Sequence, residues 1–193
     1  FGDAIPARLL AFHLGNGASL CAIKDGKSIA TSMGYSPLSG LTMGTRSGDI
    51  DGAAVLRISE ALGEEETDRM LNKNSGLKAL AGDNNMKTLL SRDDDAAKFA
   101  VQHFCYWAAR HAGSAIVAMG GVDAVAFTGG IGENAAPIRA RVIEGLDFLG
   151  LQLDADANAA GAVSIGAGAS KVLAIKTDEE RVIARAVASA LAT

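Results

Sequence analysis

Apolar residues cluster early in the chain. Arg8-Leu-Leu-Ala-Phe-His13 is a short apolar run and predicts a buried strand, and Ser19-Leu-Cys-Ala-Ile-Lys24 predicts a second. Lys27-Ser-Ile-Ala-Thr-Ser32 alternates with the period of two that marks a third. Between the last two lies Asp25-Gly26, a strong hairpin signal, because both residues accept the positive φ of a type I′ turn. A Gly-, Ser- and Thr-rich loop follows from Met33 to Gly48. It is longer than a simple connection needs, and such loops inside compact domains are commonly functional.

The period then lengthens. Ile50, Ala54, Val55, Ile58 and Leu62 share a helical face, and short helices are expected over Glu64 to Leu71 and Asn84 to Leu90. Asp93-Asp94-Asp95 puts negative charge at the positive end of a helix dipole and opens a long helix towards Met119. Its apolar residues, including Phe99, Tyr106, Trp107 and Val117, are spread widely enough to expect most of its circumference to be covered. Ala124-Val-Ala-Phe127 is a short strand, and Thr128-Gly-Gly-Ile-Gly-Glu-Asn134 predicts a tight turn into a helix from about Pro137 to Phe148. Lys171-Val-Leu-Ala-Ile175 forms the last strand and Asp178 to Leu191 the last helix, with Thr177 as its cap and Glu180 completing a capping box. Three leading strands followed by alternating helix and strand predict an α/β domain of the ribonuclease H-like fold. That fold is a mixed five-stranded sheet with flanking helices, shared by actin, sugar kinases, Hsp70-type ATPases and nucleases. The helices between Glu64 and Leu90 are expected as an insertion.

Composition narrows the function classes. The 193 residues fit one domain, and 49% apolar content is enough for a core. With 18 basic against 22 acidic residues the net charge is −4, which gives no electrostatic reason to expect nucleic acid. No apolar run approaches the roughly 18–20 residues of a membrane span, and the opening Phe1-Gly2-Asp3-Ala4 lacks the features of a secretion signal. Cys21 and Cys105 are too few and too far apart for a disulfide framework or a zinc cluster, as in a cytoplasmic protein. The first strand carries no carboxylate, which argues against a metal-dependent nuclease.

Four segments could carry chemistry. In His13-Leu-Gly-Asn-Gly17 the glycines let backbone amides approach an anion, with His13 and Asn16 as further donors; an ordinary glycine-rich turn has the same composition. Arg46 in Met43-Gly-Thr-Arg-Ser-Gly-Asp49 offers planar paired donors suited to phosphate, or is a surface arginine. Thr128 to Asn134 has the strand-to-helix context that receives nucleotides, but neither the dinucleotide-binding nor the P-loop glycine spacing. Thr177-Asp-Glu-Glu180 is a helix start that compensates the dipole or holds Mg²⁺. His103 and His111 fall mid-helix and read as structural.

Together these strings resemble the acetate kinase family. The matching segments are His-Leu-Gly-Asn-Gly-Ala-Ser at 13–19, Asp-Gly-Lys-Ser at 25–28, Thr-Ser-Met-Gly-Tyr-Ser-Pro-Leu at 31–38, Met-Gly-Thr-Arg-Ser-Gly-Asp-Ile-Asp at 43–51, Phe-Thr-Gly-Gly-Ile-Gly-Glu-Asn at 127–134 and Thr-Asp-Glu-Glu at 177–180. The resemblance spans the whole chain and implies the C-terminal half of an enzyme about twice as long, which agrees with the missing initiator Met. It further implies Mg²⁺- or Mn²⁺-dependent, reversible phosphoryl transfer from ATP to acetate, a homodimer, and a soluble cytoplasmic enzyme. Under that resemblance His13, Leu14, Gly15, Asn16 and Gly17 form the phosphate turn and Arg46 stabilises the phosphoryl group in transit. Gly130, Ile131, Gly132, Glu133 and Asn134 receive the adenosine, Asn85, Met86 and Lys87 form a nucleotide-contacting segment, and Glu179, with Glu180 as the fallback, serves the metal. Two departures stand out. Asn85-Met86-Lys87 replaces the usual Asp-Met-Arg, which weakens bidentate recognition, and Gly52 stands where proline is usual. The implied N-terminal half supplies further catalytic groups, so this chain alone is expected to fold and bind nucleotide weakly without turnover. Propionate or butyrate kinase, and a nucleotide-binding or dimerisation module, are the alternatives.

Overall fold

β1 (Arg8–Leu14) alternates so that Leu10, Phe12 and Leu14 are fully buried. It runs antiparallel to β2 (Ala18–Lys24), which pairs antiparallel with β3 (Lys27–Thr31). Asp25 and Gly26 turn the hairpin at φ 49° and 76°, as the positive-φ pair predicts. β4 (Ala124–Thr128) lies parallel to β1, and β5 (Lys171–Ala174) parallel to β4, giving the order β3-β2-β1-β4-β5. This computed structural model describes residues 5–191, except for the side chain of Glu179. The mixed five-stranded sheet with flanking helices is the expected ribonuclease H-like architecture. Arg8 and Asp123 pair at the entrance to β1 and β4. At the far end Phe12 stacks on Phe127 with ring centroids 5.0 Å apart.

Helices α1 (Gly52–Leu62), α2 (Glu64–Lys73), α3 (Gly76–Ala81) and α4 (Met86–Ser91) lead into the long α5 (Asp95–Met119). The Asp94 carboxylate caps α5 on the Ala97 amide. Only one side of α5 is covered. Ala97, Ala100, Ala108, Ala112 and Ala115 are buried, and small side chains of this kind let a helix sit close to its neighbours, here β2, α3, α4 and the helix over Ala136–Glu144. Phe99, Tyr106 and Val117 are exposed, so the expectation that most of its circumference is covered does not hold among the described residues.

Three further differences have local causes. Helix α3 escapes the apolar pattern because it begins on Gly76 at φ 60°; a Cβ there would lie 2.1 Å from the Met43 carbonyl oxygen. Residues 129–134 form a helix, α6 (Gly129–Asn134), rather than a bare turn, since Gly129 takes φ 77° against the end of β1 and lets the helix start at once. Helix α7 (Ala136–Glu144) stops before Phe148: at Gly145, where a Cβ would meet the Ala109 side chain at 2.9 Å, the chain turns to bury Leu146 and forms a 3₁₀ turn at Asp147–Leu149. A short α8 (Ala155–Ala159) and the terminal α9 (Glu179–Leu191) complete the fold.

Candidate active site

The bend after β1 and the loop carrying Arg46 meet. The Gly15 amide donates to the Gly17 carbonyl at 3.0 Å, and the Asn16 carbonyl accepts the Gly44 amide at 2.9 Å. A Cβ on Gly44 would fall 2.1 Å from Asn16 Oδ1, so any larger residue there would displace the Asn16 side chain. Asn16 Oδ1 also accepts from Asn84 Nδ2 at 3.0 Å. A Cβ on Gly17 would stand 3.2 Å from Arg46 Nη1, which places the guanidinium directly over the bend. Arg46 Nη1 donates to the Pro37 carbonyl at 3.2 Å. Its Nε and Nη2 make no hydrogen bond among the described residues, so the fork still has donors for an anion.

The Arg46 loop is closed at its base by two bonds, Gly40 N–H to Asp49 Oδ1 at 2.7 Å and Asp49 N–H to the Gly40 carbonyl at 3.0 Å. Leu41, Thr42 and Met43 are buried. The junction of α2 and α3 holds the other side: the Ser47 amide donates to Leu71, the Thr45 hydroxyl to Asn72, and the amides of Ser75, Leu77 and Lys78 to Thr45, Met43 and Gly44.

The second wall is built by β4 and α6. Thr128 donates its hydroxyl proton to the Phe12 carbonyl at 2.9 Å and lies 3.3 Å from His13 Nδ1, so the Thr128 oxygen receives the proton of Nδ1. A cavity of about 460 Å³ opens here, lined by His13, Gly129, Gly130, Thr177, Asp178 and Glu180. Across Gly130 lies a second cavity of about 600 Å³, between Asn85, Met86, Lys87 and Leu90 on one wall and Gly130, Ile131, Asn134 and Pro137 on the other. The first is polar and the second largely apolar. A phosphate tail and a base would divide in the same way.

Most of the expected positions converge, but several use their side chains elsewhere. Leu14 is fully buried, and Gly132 packs against Phe127, so both can offer only backbone. The Met86 side chain joins the core, while Asn85 Oδ1 caps α4 by accepting from Lys87 and Thr88. Asn134 Nδ2 turns back to the Gly130 carbonyl. Glu133 Oε1 accepts from the Gly129 amide at 3.2 Å and from both the amide and the hydroxyl of Thr177 at 2.9 Å. Burial pushes this carboxyl up, but those hydrogen bonds and the charge of Lys176 outweigh it and hold Glu133 below the usual carboxylate range.

Thr177 therefore does not cap α9. Asp178 does, accepting the Arg181 amide at 3.0 Å, because the distant Glu133 is the stronger acceptor for the Thr177 hydroxyl. The side chain of Glu179 lies outside the described residues, whereas Glu180 lines the polar cavity. No cluster of three metal-ligating side chains occurs among the described residues. One or two carboxylates beside a phosphate pocket is nonetheless the donor set that suits Mg²⁺, which keeps most of its waters and shares phosphate oxygens. Thr128 and Asp178 lie within segments the sequence marks as candidates, but without roles of their own, and Asn84 had only its place beside Asn85 as a signal.

Arg139 supports this wall from behind. It is 1% exposed and pairs with no carboxylate among the described residues. Its Nη1 donates to the carbonyls of Gly132 and Glu133 at the end of α6, and its Nε and Nη2 to Asn158. A delocalised cation thus sits where the α6 carbonyls point.

The sheet order, and two bends that open side by side at the ends of neighbouring parallel strands, define a ribonuclease H-like domain of the actin and sugar-kinase type. A model of the acetokinase family matches residues 4–185. The acetate kinase of Micrococcus luteus is 46% identical over 191 residues, covering 91% of this chain and 49% of that protein. The chain belongs to the acetokinase family. Among solved structures, a propionate kinase from Francisella tularensis superposes with a TM-score of 0.85 at 42% identity, covering 90% of this chain and 47% of that one. An acetate kinase from Entamoeba histolytica gives a TM-score of 0.90 at 30% identity, covering 95% and 52%. The chain spans about half the length of the curated relatives it matches. No helix among the described residues is long and apolar enough to cross a membrane.

Proposed function

We propose that this chain is the C-terminal, nucleotide-binding half of a cytoplasmic acetate kinase, which transfers the γ-phosphoryl group of ATP reversibly to acetate. The observation that carries this is Arg46 lying over the His13–Gly17 bend, with two free donor nitrogens, at the end of the strand that neighbours the α6 cavities. In the transfer, an acetate oxygen attacks the γ-phosphorus in line as the bond to the ADP oxygen breaks. Charge on the equatorial oxygens is the chief demand of such a transition state. Arg46 meets it with parallel N–H donors, while backbone amides of the 13–17 bend and the Asn16 side chain orient the phosphates. The apolar cavity beside Ile131 and Leu90 takes the base, and Lys87 stands at its rim. Mg²⁺, when bound through the acidic start of α9 at Glu179 or Glu180, supplies charge neutralisation at the β- and γ-phosphates.

The chain by itself is proposed to bind Mg-ADP without turnover, because the other half of the enzyme brings the remaining groups. Exposed Tyr106 and Val117 on α5, with Phe148 beyond α7, support homodimer contacts through this half. The likeness to a propionate kinase supports a second reading, a longer acyl acceptor, since one methylene changes specificity by only about 1–3 kcal/mol. The test is acyl phosphate formation by the full-length enzyme over acids of increasing length, with calorimetric titration of Mg-ADP into this chain alone. Full activity of the isolated chain, or none with any short-chain acid in the full-length protein, overturns the reading.

A further inference from the structure

One polar contact ties the Arg46 loop to the long helix and has no part in the chemistry above. Thr42, buried between Leu41 and Met43, places its hydroxyl 3.0 Å from His103 Nδ1 on α5. The other ring nitrogen, Nε2, accepts the indole N–H of Trp107 at 3.1 Å. With Nε2 accepting, a neutral His103 carries its proton on Nδ1 and donates it to Thr42, so the ring's role is fixed by its partners. Phe99, His103, Trp107 and His111 recur every fourth residue, with neighbouring ring centroids 5.8–6.1 Å apart. At the end of this stripe, His111 Nε2 approaches Asp49 Oδ2, at the base of the same loop, to 3.2 Å without hydrogen-bond alignment.

Backbone pairs fix the loop against the α2–α3 junction, whereas the apolar contacts of Leu41 and Met43 that hold it against the core are tolerant of sliding and rotation. A hydroxyl–imidazole bond is directional, and it acts at a position four residues before Arg46. Burying the Thr42 hydroxyl without a partner would be unfavourable, so the loop has one preferred register against α5.

We propose that Thr42 and His103 are positioning residues for Arg46: their hydrogen bond sets the register of the 40–49 loop and so aims the guanidinium at the 13–17 bend. This rests on Arg46 acting as proposed above. It assigns a catalytic consequence to a histidine on a helix that touches neither cavity of the site.

The test exploits the two nitrogens of the ring. In His103→Asn the amide nitrogen can stand near Nδ1 and keep the bond to Thr42 while losing Trp107. In His103→Gln the side-chain oxygen can stand near Nε2 and keep Trp107 while losing Thr42. Kinetics are measured on the full-length enzyme that the proposed function supposes, with emission of Trp107, the single tryptophan of this chain, as the second readout. Thr42→Val and His103→Gln should each lower kcat about tenfold with the nucleotide KM unchanged, since small misplacements of a catalytic group are amplified in rate. Combined they should be no worse than either alone. Thr42→Ser should restore the rate, and His103→Asn should keep it while shifting Trp107 emission. Equal loss in His103→Asn and His103→Gln, or a wild-type rate in Thr42→Val, overturns the proposal while leaving the kinase reading intact. An inactive wild-type enzyme overturns both.

Discussion

Two regions face each other across the candidate site, and they are held in very different ways. The 40–49 loop is closed at its base, pinned to the α2–α3 junction by backbone pairs, and locked to α5 through Thr42. Among the described residues the start of α9 is tied to α6 through the Glu133 carboxylate, and the described side chains of α9 are exposed, Val182, Ile183, Val187 and Leu191 included. The permanent cation therefore sits on the rigid side. The acidic side, where a metal would come and go with the nucleotide, is fastened among the described residues by Glu133, which can be changed without touching the core.

That contrast can be broken most severely at Arg46. Arg46→Ala should lower phosphoryl transfer by about 10³-fold in the full-length enzyme, with Mg-ADP affinity little changed, as expected of a donor used mainly in the transition state. Steady-state kinetics beside calorimetry separates the two. Next is the support behind α6. Arg139→Met strands the Gly132 and Glu133 carbonyls and the Asn158 side chain, and should destabilise the domain by about 3 kcal/mol in urea melts. Gly76→Ala should follow at about 2 kcal/mol, because φ 60° and the Met43 carbonyl both oppose a side chain there. Unlike Arg139→Met it should also slow transfer, since the carbonyls it would crowd, those of Met43 and Arg46, belong to the Arg46 loop.

Smaller effects sharpen the other side. Glu133→Gln weakens an acceptor for three donors and should raise the Mg²⁺ concentration needed for half-maximal activity several-fold, leaving metal-free nucleotide binding unaffected. The smallest effect is in pH. Burial lowers the His103 pKa, so the fold favours the neutral ring. The stability it contributes is present above the ordinary histidine range and is lost as pH falls through the lowered value. Of the groups nearest the ring, Thr42, Phe99 and Trp107 do not ionise in this range, while His111 and Arg110 sit beyond Trp107. Trp107 emission should change on acidification, and His103→Asn should remove that transition.

Much of this was legible in the chain. The Asp25-Gly26 turn and the runs at 8–13, 19–24 and 124–127 announced the sheet because local turn chemistry and apolar runs agree there. The meeting of the 13–17 bend with Arg46 followed from a family pattern rather than from periodicity, while the cavity wall that Asn85–Lys87 builds opposite Gly130 and Ile131 came only with the fold. What stayed hidden depends on distant partners. Gly76 looks like a helix breaker until the Met43 carbonyl explains its conformation. Thr177 looks like a cap until Glu133, 44 residues away, takes its hydroxyl. His103 reads as an ordinary helical histidine because its partner Thr42 lies 61 residues earlier.

The pairing of β1 with β4 sets His13 level with Thr128, one step beyond the stacked Phe12 and Phe127. Both rims of the cleft are thus measured from the same pair of rings. Deleting one residue from either strand would drop its rim by about 3.3 Å and turn every following side chain to the opposite face. Across this family, then, length should vary freely in the outer connections, yet the stretches from Arg8 to His13 and from Asp123 to Thr128 should keep their count even where their letters drift.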